Sequence, residues 1–282
     1  MERHITAGID GSSESLDAAD WAAREALSRG LPLHLAHAVD EPASRTRLPE
    51  LDTPAERERT ALDRAALRLS YGHPTLRIRS SRVPGPPVPA LLAAAESAET
   101  LVLGSRGYTG FAAFMVGSVA LAVTAGASRP VVLVRAGERP ADEHEDSTSS
   151  PYLPVVLGLD LEHACDEVLE YAFDAAAVRH APLHVVHTWM VPLMPSASAD
   201  DPAEEKARAL SATLAPWRHK YPEIPVREQL FHGRAGHHLL MASTKASLMV
   251  IGRRTTPGGH LGVTTHSVVH HVLCPLAVVP HA

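Results

Sequence analysis

The stretch GSRGYTGFAAFMVGSVA, residues 104–120, gathers the residues of this 282-residue chain best suited to holding an anion. Gly104, Arg106 and Gly107 follow an apolar run at 101–103, and after nine intervening residues Gly117 and Ser118 open another apolar stretch. Glycine lets backbone N–H groups approach phosphate oxygens with no side chain in the way. A helix beginning near Ser118 would add unpaired N–H donors and the positive end of its dipole. Ser118 supplies a hydroxyl and Arg106 a cation, so the parts of a polyphosphate cradle are present. The common phosphate motifs do not fit: there is no GxxxxGK[ST], and Gly104-x-x-Gly107-x-x-Gly110 lacks the G-x-G start of the dinucleotide fingerprint. The plainer alternative is that these glycines only permit a tight turn, and that Asp10, at the end of the first apolar strand, only caps a helix.

The chain contains its own pattern twice. ITAGIDGSSESLDAADWAAREALSRGLPLHLAHAVDE from Ile5 runs parallel to VVLGLDLEHACDEVLEYAFDAAAVRHAPLHVVHTWM from Val155. The correspondence continues through VPGPPVPALLAAAESAETLVLGSRG and FHGRAGHHLLMASTKASLMVIGRR, giving a period of roughly 145–150 residues. Within the first copy, residues 33–39 and 101–103 are continuous apolar strands, as in a parallel sheet covered on both faces. Helices are expected at 14–29, capped by Ser12 or Ser13 and ended by Gly30, and at about 54–71, 87–98 and 118–126. The alternation predicts an α/β fold: two tandem doubly wound, Rossmann-like domains, each with a five-stranded parallel sheet. Ligands of such sheets sit at the carboxyl ends of the strands, where both glycine pairs fall. We expect a first domain at 1–137, a Pro-, Ser- and acid-rich linker at 138–152, and a second domain at 153–282.

Composition excludes several function classes. With 26 Lys plus Arg against 32 Asp plus Glu, the net charge of -6 argues against nucleic acid as a partner. The start MERHITAGIDG has neither a signal-peptide layout nor a membrane-spanning run, so a cytoplasmic protein with no membrane partner is expected. Cys165 and Cys274 are too few for a disulfide framework and are expected to be buried thiols. His266 and His270 have metal-ligand spacing on a probable helix, but no third ligand is evident, so no metal is expected. His34-x-x-His37 is mirrored by His184-x-x-His187, which fits a hydrogen-bonded structural role as well as a functional one.

The spacing Gly, two residues, Gly, nine residues, Gly-Ser, taken with GIDGS at 8–12 and RPVVLV at 129–134, resembles the ATP-binding branch of the universal stress protein family. The resemblance covers nearly the whole chain as a tandem pair. It implies that Asp10 contacts the adenine, and that the backbone of Ala38 lines the adenine and ribose pocket. It further implies that Gly104, Arg106, Gly107, Gly117 and Ser118, with the backbone of Val119, hold the ribose and phosphates. Ala120 departs from the hydroxyl residue often found there. The implied ligand is ATP, with or without Mg2+, and the implied role is stress response or regulation rather than catalysis. No nucleophile–base pair or paired carboxylates stand across the loop, which leaves at most slow ATP hydrolysis. As in tandem members, the final strands of the copies are expected to pair in an internal pseudo-dimer, with a homodimer of chains also open.

The second copy departs from the pattern. Thr255 replaces the second glycine, the loop before Gly262 is three residues shorter, and Val263 stands where Ser118 does. Asp160 persists but is followed by Leu161, Glu162 and His163. One competent site, in the first domain, is therefore expected, although Arg253 and Arg254 could attract an anion. Two rival readings remain: a nucleotide-free dimerisation module, and a sensor of cAMP or another adenylate.

Overall fold

The computed structural model describes residues 3–39, 54–105, 116–190, 201–256 and 258–282, with side chains omitted at 54–60. By contact density the chain divides into two units: Met1–Glu138 with Thr256–His260, and Arg139–Thr255 with Leu261–Ala282.

Unit 1 runs β1 (Ile5–Gly8), α1 (Ser13–Arg29), β2 (Leu33–Val39), α2 (Pro54–Gly72), β3 (Ile78–Pro84), α3 (Pro87–Glu96), β4 (Thr100–Ser105), α4 (Ser118–Gly126) and β5 (Val131–Arg135). Its strands are parallel in the order β3-β2-β1-β4-β5. The chain moves outward in one direction from β1 to β3 and in the other from β4 to β5. The switch point between β1 and β4 opens a crevice at their carboxyl ends, where doubly wound sheets take ligands.

Local chemistry sets these boundaries. Ser12 is the N-cap of α1 and its hydroxyl accepts from the Ser15 N–H at 3.2 Å. Gly30, at φ 64°, closes the helix by donating its N–H to Ala26 and Leu27 carbonyls, a conformation that favours glycine. The buried residues of α1 are mainly alanine, Ala18, Ala19, Ala22, Ala23 and Ala26, with Trp21 buried as well. Small side chains let this helix lie close to β4.

Unit 2 repeats the plan with β6 (Val155–Gly158), α5 (Asp166–Arg179), β7 (Leu183–Trp189), α6 (Pro202–Lys220), β8 (Val226–His232), α7 (Ala235–Ser243), β9 (Leu248–Arg254), α8 (Val263–His271) and β10 (Leu276–His281). The parallel order is β8-β7-β6-β9-β10. Within 138–152 the chain forms a 3-10 turn, Pro140–Glu143, and an antiparallel bridge of His144 to Tyr152, whose rings lie 4.1 Å apart. Glu143 is buried there. Both cysteines are free; Cys274 is buried, but Cys165 is half-exposed at the N-cap of α5. Burial pushes the Cys165 thiol up despite a bond from the Val168 backbone, so the reactive thiolate is scarce.

The paired histidines of β2 and β7 give the fold an acid sensitivity. His34 bonds Ser81 at 2.7 Å, and burial, then His4 and Arg79, hold its pKa below the ordinary 6.5. Burial and Arg227 do the same to His184. The folded state thus resists protonation that the unfolded chain accepts. The contribution of these two histidines to stability is complete above about pH 6.5 and is lost as pH drops below it. Urea midpoints compared at pH 7.5 and about 5.5 should show a smaller drop for His34→Asn/His184→Asn than for the native chain; equal drops would contradict this.

Candidate functional site

A cleft of about 840 Å³ opens at the carboxyl ends of β1 and β4, within the range of about 300–1,000 Å³ usual for small-molecule sites. Asp10, Ala38, Gly104, Gly117, Ser118 and Val119 all line it. Arg106 and Gly107 fall outside the described residues. Glu14, His37, Leu91 and Leu103, not singled out as ligand contacts from the sequence, line it too.

Asp10 does not cap α1 itself. Its Oδ1 accepts from the backbone N–H and the hydroxyl of Ser12, the capping residue, at 2.9 and 2.5 Å. Burial works against ionisation of Asp10, but the Ser12 hydroxyl and N–H, with Ser15, outweigh it and hold the carboxyl below its ordinary pKa. Asp10 is therefore a fixed carboxylate. Glu14 adds a second acid in the first turn of α1.

The start of α4 is different. Gly117 is its N-cap with no side-chain cap bond, and the first turn carries no acidic residue. Ser118, Val119 and Ala120 thus bring helix N-terminal N–H groups to the cleft with no acidic side chain in their own turn. Electrostatically, a ligand's negative end belongs at α4 and away from Asp10 and Glu14.

The two glycines differ in why they are glycine. A Cβ on Gly104 would lie 2.5 Å from the carbonyl carbon and oxygen of Glu14 and 2.9 Å from the Ser15 nitrogen, all backbone. Gly104 is needed for the close approach of β4 to α1. Gly117 has φ −58° and ψ 148°, open to any residue, and a Cβ there would meet none of the described residues within 4 Å. Among the described residues neither conformation nor packing requires glycine at 117, and Gly117 lines the cleft.

The universal stress protein family model matches residues 1–135 and again 151–280. The chain belongs to this family, as a tandem member. A universal stress protein of Mycobacterium tuberculosis is 29% identical over 291 residues, covering 97% of this chain and 96% of its own. One from Mycolicibacterium smegmatis is 30% identical, covering 96% and 93%. The crystal structure of a universal stress protein from Archaeoglobus fulgidus superposes with a TM-score of 0.73 at 17% identity, covering 99% of this chain and 98% of that one, a likeness of fold.

The second universal stress repeat keeps the frame and changes the contents. His187 donates to Leu159 as His37 does to Ile9, and Gly262 begins α8 as Gly117 begins α4. Asp160, however, is tied into its own surroundings. Its Oδ1 accepts from the Glu162 N–H at 3.0 Å, and Oδ2 pairs with His163 Nδ1 at 3.0 Å. His163 Nε2 in turn receives Arg254 at 3.2 Å, which fixes the tautomer as Nδ1–H. In place of Ser118 stands Val263, 90% exposed, so the hydroxyl is lost and an apolar group meets water.

Proposed function

We propose that this tandem universal stress protein binds an adenine nucleotide, ATP, in the unit 1 cleft and acts in the cytoplasm as a nucleotide-responsive regulator rather than a catalyst. The observation that carries the reading is the cleft of ligand size at the carboxyl ends of β1 and β4, lined by the uncapped start of α4 and by Gly117, whose place no described residue reserves for glycine. The polyphosphate would lie on the amides of Ser118, Val119 and Ala120, and the base at the other end, between Asp10 and Ala38. Each hydrogen bond to a charged group contributes about 1.5–3 kcal/mol, so three amides suffice to hold the tail. Gly104 acts indirectly, by seating β4 on α1. Any Mg2+ accompanying the nucleotide would ride on its phosphates.

Unit 2 is proposed as the non-binding repeat. Val263 lacks the Ser118 hydroxyl, and Asp160 is engaged by His163. We expect one nucleotide per chain by calorimetry; binding that persists after Gly117→Val and is abolished by Gly262→Val would reverse the assignment. Mass spectrometry of the small molecule released on denaturing freshly purified protein tests the identity of the ligand. ATP, ADP or AMP is expected. Release of no nucleotide, together with no binding of added ATP, would favour the dimerisation module, and displacement of ATP by equimolar cAMP would favour the cyclic-nucleotide sensor.

A further inference from the structure

β1 and β2 keep parallel register from Ile5 opposite Leu33 to Gly8 opposite Ala36. One residue further, the Ile9 N–H still donates to the Ala36 carbonyl at 2.8 Å. In a continued parallel ladder the Ile9 carbonyl would next receive the Ala38 N–H. It receives a side chain instead: Nδ1–H of His37, only 7% exposed, donates to it at 2.5 Å. The ladder ends there, at the point where Ile9, Asp10, His37 and Ala38 all line the cleft. Ile9 is gripped at both its N–H and its C=O by β2, so the chain enters Asp10 in a set direction.

The second repeat builds the same device. The Leu159 N–H donates to the Val186 carbonyl at 3.0 Å and the Leu159 carbonyl accepts from His187 Nδ1 at 2.9 Å, one residue before Asp160. Two strands 150 residues apart use the same imidazole on the same atom, which marks a feature of the carboxyl edge.

We infer that His37 is the positioning residue for base recognition in unit 1: by taking the Ile9 carbonyl it sets Asp10 and leaves the Ala38 N–H to pair with the edge of a purine. This rests on the nucleotide reading above. Adenine presents an amino donor beside a ring-nitrogen acceptor, whereas guanine presents a carbonyl acceptor beside an N–H donor. A carboxylate next to a backbone N–H complements the first and opposes the second. Without the His37 bond, the Ile9 carbonyl recaptures the Ala38 N–H, β1 and β2 close by one rung, and the pair that reads the base is lost.

The test is calorimetry of ATP and GTP binding to the full chain. His37→Phe keeps a flat ring without the donor; it should weaken ATP by about tenfold or more and bring the ATP-to-GTP preference close to one. His37→Asn, whose amide N–H reaches the same carbonyl, should keep most of the preference. His187→Phe should leave both affinities unchanged. A His37→Phe protein that binds ATP more weakly, or melts earlier, yet keeps the native preference would overturn the inference, since a merely structural role predicts that pattern. Should His37→Phe fail to fold, long-range 1H–15N spectra of the native chain decide: an Nδ1-protonated His37 with the Ala38 amide moved by ATP is expected, and an Nε2-protonated ring overturns it. A native chain binding neither nucleotide would sink the functional reading together with this one, whereas unchanged selectivity in His37→Phe would sink this one alone.

Discussion

Gly117→Val should reduce ATP affinity by about 100-fold or more and leave the protein folded. The substitution is conformationally easy, because φ −58° and ψ 148° suit valine and no atom of the described residues lies within 4 Å of the new Cβ. Valine is a poorer N-cap than glycine, but it also lowers the entropy of the unfolded chain, so the net change in stability stays within about 1 kcal/mol. The isopropyl group would stand in the cleft before the amides of Ser118, Val119 and Ala120. Losing two such bonds to phosphate forfeits about 3 kcal/mol or more, over two orders of magnitude in Kd. Calorimetry and a thermal melt on the same sample read both halves of the expectation. Gly262→Val, in the same backbone conformation in unit 2, is the matched control and should leave ATP binding unchanged.

Gly104→Ala should do the reverse. One added methyl would sit 2.5 Å from the backbone of Glu14, far inside contact distance, and a helix backbone cannot turn aside as a side chain can. Overpacking of this kind costs about 1–3 kcal/mol, so a fall in Tm of about 5–10 °C for unit 1 is expected. Nucleotide affinity should fall only as far as α1 is displaced, and saturating ATP should recover part of the lost stability. A Gly104→Ala protein with native Tm and lost binding would mean that this glycine contacts the ligand directly and that its packing role has been misjudged.

The opposite fates of these two glycines show where sequence reasoning reaches and where it ends. The repeat, the strands and the cap chemistry at Ser12 and Gly30 are local or periodic signals, and the structure carries them almost residue for residue. The apolar strand at 33–39 and the helix at 118–126 are present with those bounds. Asp10, Ala38, Gly104, Gly117, Ser118 and Val119, the described residues among those the family resemblance implies, line one cleft. What spacing could not separate is the reason for each glycine, because the atom that forbids a side chain on Gly104 belongs to Glu14, 90 residues earlier. Such a contact exists only once α1 lies on β4.

His37 is a similar case. The mirrored histidines at 37 and 187 were visible as a pattern, but which atom they grip depends on where two parallel strands part company. Asp10 was open to a capping role on sequence grounds; the structure gives the cap to Ser12 and makes Asp10 its support, which leaves the carboxylate facing the cleft. In the second repeat, the substitution of Ser12-Ser13 by Glu162-His163 was legible, yet the chain from Asp160 through His163 to Arg254 needed coordinates, since it joins the ends of β6 and β9.

Nucleotide binding in unit 1 requires the first-turn amides of α4 to receive the phosphate tail. Titrating 15N-labelled full-length protein with ATP and following backbone amides tests it. The largest shifts should fall on Ser118, Val119 and Ala120, with Ala38 also moving and Val263, Thr264 and Thr265 silent. Shifts confined to α8, or saturating ATP that leaves residues 118–120 unmoved, would contradict it.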